Sequence, residues 1–143
     1  MWQSLSIAGL LFALSACAPM PPLPGDAAAK RFETVPDRAV IYLVRHPVER
    51  EFVASVMLND QPIGVTYKGT FIRMVVPGGM YRIAGMAGDS GSIRVQAEQG
   101  KIYFVDHRTM GYDTLTGSIF QVVDAQYGRS MVLGGSLTSE VIR

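Results

Sequence analysis

From residue 39 onward the chain consists of short apolar runs, broken at close spacing by glycine, proline, asparagine and aspartate. That punctuation predicts a mainly β domain, an antiparallel sandwich-like body of about 7–8 short strands. Ala39–His46 is nearly continuous in apolar, β-branched and aromatic residues, the pattern of a central strand buried on both faces. Within 52–58, two-residue periodicity puts Ala54, Val56 and Leu58 on one face, and within 63–67 it aligns Ile63, Val65 and Tyr67. Asn59-Asp60-Gln61-Pro62, Lys68-Gly69 and Pro77-Gly78-Gly79 read as turns, separating strands expected at 63–67, 70–76 and 80–86. Ser92–Glu98 alternates most cleanly, with Ile93, Val95 and Ala97 inward, and Gln99-Gly100 is expected to fold it into a hairpin with 101–107. Residues 109–117 read as a loop and 118–123 as a strand. Asp124 is placed to cap a short helix ending at Gly134-Gly135, although Gly128 inside it weakens the pattern. Residues 136–143 read as a terminal strand or a loose tail.

The amino-terminal end follows a different logic. The run from Ile7 to Ala16 is apolar or small throughout. A membrane-spanning helix needs roughly 20 apolar residues, so this shorter run fits the core of an export signal. Leu14-Ser15-Ala16-Cys17 resembles the lipobox of bacterial lipoproteins, and Cys17 is the chain's one cysteine. The resemblance implies recognition of Leu14, Ser15 and Ala16 by a signal peptidase, cleavage before Cys17, and a diacylglycerol thioether with an acylated amine, palmitate-like chains included, on Cys17. Residue 18 is alanine rather than aspartate, which by the sorting pattern of such lipoproteins implies the inner leaflet of the outer membrane, with the domain facing the periplasm. Met1-Trp2-Gln3-Ser4 departs from the pattern in carrying no lysine or arginine. Several acyl chains together give stable anchoring where one gives only reversible binding.

Residues 1–16 are therefore read as a lipoprotein signal peptide, 17–37 as the lipidated cysteine plus a proline-rich tether, and 38–143 as the β domain. Four prolines between Ala18 and Asp26 support an extended, semi-rigid tether. The formal net charge is +1, with 13 basic and 12 acidic residues scattered singly. With no basic stripe, no nucleic-acid partner is expected.

A wider resemblance rests on three segments. They are Val56-Met57-Leu58-Asn59-Asp60-Gln61-Pro62-Ile63-Gly64, Val76-Pro77-Gly78-Gly79-Met80-Tyr81-Arg82-Ile83 and Gly100-Lys101-Ile102-Tyr103-Phe104-Val105, preceded by a strand with Tyr42 and Arg45. They resemble a family of small bacterial lipoproteins carrying a domain of unknown function, with features of PEGA-type β-sandwich modules. The resemblance implies a β-sandwich and supplies no catalytic residue.

Candidate chemistry is sparse. Gly88-Asp89-Ser90-Gly91 is similar to the nucleophile motif of chymotrypsin-like proteases, and His46, Asp60 and Ser90 follow that family's order. That fold needs two barrels, where this domain has length for one, so the segment is read as a turn. His46 and His107 are the two histidines, expected at solvated strand ends; with Asp106 they make too thin a set for zinc. No metal, no cofactor and no catalytic residue are expected. Arg45 and Arg108 are read as edge charges, with an anion-binding pair as the alternative. Met74, Met80, Met86 and Met131 are expected to fill core gaps. Tyr67, Tyr112 and Tyr127 lie near turns and are the candidate contacts for a partner. The functional expectation is a non-enzymatic interaction or structural module, anchored to the membrane through acylated Cys17 and facing an envelope protein partner. The alternative is a periplasmic carrier or sensor for a small ligand.

Cys17→Ser is expected to leave uncleaved precursor, and mass spectrometry of the mature wild-type chain to find acylation on Cys17. A soluble, unmodified mature chain beginning elsewhere would sink the lipoprotein expectation.

Overall fold

The computed structural model describes residues 22–48, 53–86, 91–112 and 115–143. Leu14, Ser15, Ala16, Cys17 and Ser90 lie outside the described residues. The described chain is mainly β, with nine strands in two sheets. In chain order these are β1 (Ala39–Val44), β2 (Ala54–Leu58), β3 (Gln61–Thr66), β4 (Thr70–Val76), β5 (Gly79–Gly85), β6 (Ser92–Ala97), β7 (Ile102–Tyr112), β8 (Leu115–Val123) and β9 (Ser136–Ile142). Two helices, α1 (Asp26–Ala29) and α2 (Ala125–Gly134), complete the description. One sheet has the order β8-β7-β1-β4-β9 and the other β3-β2-β5-β6.

β1 is central, as its unbroken apolar run predicts, and every one of its residues is buried. Ala39, Ile41 and Leu43 face the second sheet and join Val56, Leu58, Ile72, Ile83 and Val105 in the core between the sheets. Val40, Tyr42 and Val44 face the other way, into a second cluster with Phe71, Phe104, Val132 and Leu137. Both faces of the five-stranded sheet are therefore covered, one by a sheet and one by helices.

The expected antiparallel order holds only in part. β1 pairs antiparallel with β4 but parallel with β7, and β4 pairs parallel with β9. The expected hairpin at Gln99-Gly100 does not form. β6 pairs with β5 in the four-stranded sheet and β7 with β1 in the other, so the turn carries the chain between sheets. Pro77-Gly78 does the same between β4 and β5. The expected loop at 109–117 is instead the far end of a long β7–β8 hairpin, with Thr109 opposite Ser118 and Met110 opposite Gly117. The expected turn after β2 is present: Asn59 and Asp60 have φ of 48° and 64°, the doubly left-handed backbone of a type I′ hairpin.

Part of the stretch expected to be tether is folded. Residues 26–35 belong to the folded body: Ala29 is buried, and Phe32 and Val35 pack on the outer cluster. Asp26 Oδ1 accepts from the Leu137 amide at 2.8 Å, and Tyr42 Oη donates to the Ala29 carbonyl at 2.6 Å. Only Asp26–Ala29 is helical and Phe32 has a left-handed φ of 54°, so burial of these side chains in the outer cluster, not a continuous helix, holds the stretch to the sheet.

β8 and β9 occupy opposite edges of one sheet, so their connection must cross its whole face. The capped helix predicted after Asp124 makes this crossing, with Asp124 Oδ1 accepting from the Tyr127 amide at 2.9 Å. Gly128 is the contact point. A Cβ there would overlap the Phe104 ring, so the residue that weakens the helix pattern is the one that lets the helix lie flat on β7. Met74 is buried and Met131 packs on the outer cluster, whereas Met80 and Met86 are more than half exposed and fill no gap.

In a helix interior Gly→Ala normally stabilises by about 0.5–1 kcal/mol; here Gly128→Ala is expected to destabilise by about 1–3 kcal/mol, read by urea unfolding. A more stable variant would contradict the close approach of α2 to Phe104.

Candidate functional site

Two polar clusters flank the end of β1 on opposite faces of the sheet. The inner one is built by period-two alternation along β7. Val105 faces the core, so His107 and Thr109 face it as well. His107 is fully buried and stacks on Phe120, its cross-strand partner, at 4.4 Å between ring centroids. Its Nδ1 lies 3.0 Å from Thr66 Oγ1 and its Nε2 lies 2.9 Å from Ser118 Oγ. A neutral imidazole has one donor and one acceptor nitrogen, and a hydroxyl can serve either, so both bonds are satisfied in either tautomer. Arg45, just past β1, is also buried. It donates from Nη1 to the Thr66 carbonyl at 3.1 Å and from Nη2 to Thr109 Oγ1 at 2.9 Å. Burial, with the Arg45 charge adding to it, lowers the His107 pKa from 6.5 to about 3.

This cluster corrects two expectations. His107 is a buried side chain in mid-strand rather than a solvated strand end, and Arg45 is an internal cation bridging two sheets rather than an edge charge. The serine–histidine contact invites comparison with a hydrolase. Here, however, the histidine's other nitrogen meets a threonine hydroxyl, which cannot stabilise an imidazolium as a carboxylate does. The imidazole already carries a depressed basicity, and Ser118 is buried. The arrangement is suited to holding strands together, not to proton transfer.

The outer cluster lies beyond the first turn of α2. His46, Val48, Arg108 and Tyr127 line an open groove of about 410 Å³. Asp106, buried to 1% exposure, accepts at Oδ2 from Arg108 Nε at 2.8 Å. The other oxygen, Oδ1, is buried with no hydrogen-bond partner among the described residues. Asp106 holds the Arg108 pKa above its ordinary value, through the hydrogen bond and then through its charge. Tyr127 acts on the same guanidinium through its charge and a side-chain hydrogen bond, so Arg108 joins β7 to the first turn of α2 at the groove. His46 Nδ1 accepts from the Val48 amide at 3.2 Å, which places the proton of the neutral ring on Nε2. Beside Arg108 stands its cross-strand partner Ile119, and both Ile119 and Met110 are exposed. The groove thus combines hydrogen-bond donors with an apolar rim.

Arg45 and Arg108 point to opposite faces of the sheet, so the anion-binding pair does not form. Of the candidate tyrosines, Tyr127 lines this groove and Tyr67 lines a different pocket, beside β3 and β9. The two are not brought together, and the Tyr112 side chain lies outside the described residues. His46 and His107 face opposite sides as well, and no cluster of three metal-ligating side chains occurs among the described residues. The inner cluster was legible in principle: extending the alternation of Tyr103 and Val105 by one step puts His107 in the core. The expected loop at 109–117 concealed it by ending the strand there.

Compared with known protein families, curated proteins and solved structures, the chain matches none.

The depressed His107 pKa fixes the sign of a pH dependence. Below pH 6.5 the unfolded chain takes up a proton that the folded chain refuses until about pH 3, so stability falls as pH falls across that window. The slope rises towards about 1.4 kcal/mol per pH unit, and the expected loss between pH 6.5 and 5 is roughly 1.6 kcal/mol. His107→Gln, compared by urea unfolding at both pH values, should lack this increment. An unchanged slope in the variant would place the titration elsewhere.

Proposed function

We propose that this protein is a lipid-anchored envelope module that acts by binding, with the groove beside α2 as its partner-facing surface. The observation that carries this reading is the buried Asp106 carboxylate fixing Arg108 next to His46 and Tyr127. A carboxylate buried with one oxygen unpaired costs about 1–3 kcal/mol, a cost expected at a working surface and unneeded for packing alone. The exposed Val48, Met110 and Ile119 add the apolar contact typical of interface centres, and arginine and tyrosine are the usual anchors there. The anchor is the acylated Cys17 implied by Leu14-Ser15-Ala16-Cys17, and the location is the periplasmic face of the outer membrane.

The carrier alternative needs a cavity between the sheets. The described side chains there, Ile41, Leu43, Val56, Leu58, Ile72 and Ile83 among them, are fully buried and packed in one cluster. This favours a surface site over an internal one.

A photo-crosslinking residue at the exposed position Val48 is expected to give a discrete protein adduct in intact cells. The same probe at Gln96, on the opposite sheet, should give none. Arg108→Ala combined with Tyr127→Ala should reduce the Val48 adduct roughly tenfold, about 1.4 kcal/mol of binding. Equal labelling from Val48 and Gln96 would remove the groove from the reading.

A further inference from the structure

We propose that the β3–β9 end of the domain is a membrane-docking face that rests on the lipid bilayer to which Cys17 is attached. The proposal builds on the lipid-anchor reading above and adds which surface meets the membrane. The first observation is the place where the chain joins the fold. Pro22 and Leu23 line an apolar pocket of about 170 Å³ together with Val65, Tyr67, Leu137 and Thr138. The Leu23 amide lies 3.5 Å from the Leu137 carbonyl and the Leu137 amide donates to Asp26 Oδ1 at 2.8 Å, which together place this junction on β9. Since residues 26–35 are part of the body, the tether is far shorter than its proline content suggests. Five residue steps separate Pro22 from Cys17, a span of at most about 17 Å even when fully extended. A lipid on Cys17 would therefore hold this end of the domain within about 17 Å of the bilayer surface.

The second observation is the chemistry of that end. Leu23 and Val65 are 41% and 42% exposed, and Tyr67 is half-buried beside them. The polar groups nearby are already paired. Thr138 Oγ1 donates to the Val65 carbonyl at 3.0 Å, and Ser139 Oγ donates to the Ile63 carbonyl at 2.7 Å. These hydroxyls also satisfy the open edge of β3, which would otherwise face solvent. Leu23, Val65 and Tyr67 face outward here, with the half-buried Ser136 in the pocket and the exposed Lys68 beside Tyr67, and aliphatic, tyrosine and lysine side chains together suit the headgroup level of a membrane. Such a patch is too small to bind a bilayer strongly alone. Tethering makes the contact intramolecular, so a weak preference suffices to orient the domain. The groove lined by His46, Arg108 and Tyr127 is a separate pocket that shares no lining residue with this one.

The chain's one tryptophan is Trp2, within the expected signal peptide, so a mature chain has no tryptophan of its own. Tyr67→Trp and, separately, Tyr127→Trp are introduced into the full-length protein and the mature, acylated chains reconstituted into phosphatidylethanolamine–phosphatidylglycerol vesicles. Emission is compared with and without lipids brominated on the acyl chains. The Tyr67→Trp protein should be quenched at least twofold and the Tyr127→Trp protein little. Adding Val65→Asp to Tyr67→Trp should largely abolish that quenching while circular dichroism stays unchanged. If the protein floats with vesicles and its mass shows acylation, yet the Tyr67→Trp protein is quenched no more than the Tyr127→Trp protein, the docking face is wrong and the anchor stands. If the mass shows no acylation and the protein does not float, the anchor reading fails, and the docking proposal with it.

Discussion

Tyr42 stands at the centre of the five-stranded sheet, and much of the structure is arranged around its ring. It stacks on Phe104 of β7 at 5.3 Å between centroids and tilts against Phe71 of β4 at 6.1 Å, so it packs against both strands that flank β1. Phe32 closes over it at 5.6 Å, and its hydroxyl holds the Ala29 carbonyl. One side chain thus connects three strands and the amino-terminal segment. Phe104 passes the connection to α2 through Gly128. Burial raises the pKa of the Tyr42 hydroxyl, keeping it a donor. A sandwich with an exposed apolar face would be an aggregation hazard; here the aromatic cluster gives both helices something to pack on and turns that face into a second core.

The other face of the same strand ends in polarity. Arg45 and His107 extend the inter-sheet space beyond the apolar core and link β3, β7 and β8 through hydroxyls of Thr66, Thr109 and Ser118. The joint is close: a Cβ at Gly85 would stand 2.6 Å from Ser118 Oγ. Hydroxyls suit such a place because they donate or accept as their neighbours require. Holding the β7–β8 hairpin here leaves the outer face of its far end beyond the helix, and Arg108, Met110 and Ile119 emerge on that face. The inner joint and the outer groove are thus two sides of one hairpin.

The amino-terminal segment is part of the fold. Residues 26–35 pack against the sheet through Ala29, Phe32 and Val35, and Asp26 ties the segment to β9 through the Leu137 amide.

What the sequence by itself determined is what depends on neighbours along the chain. Period-two alternation identified β2 and β6, continuous apolarity identified β1 as central, and Asn59-Asp60 and Asp124 marked a turn and a helix cap. Each of these is a short-range property of backbone and side chain. Tertiary structure alone decided sheet order, because β1 pairs with β7 some sixty residues away and nothing local distinguishes a parallel from an antiparallel neighbour. It decided that Gln99-Gly100 passes between sheets, that Arg45 and His107 are buried rather than solvated, and that Arg108 meets His46 and Tyr127 rather than Arg45. Those outcomes depend on which surfaces the chain brings together over long separations, where the energies of many contacts compete and no single residue carries the answer.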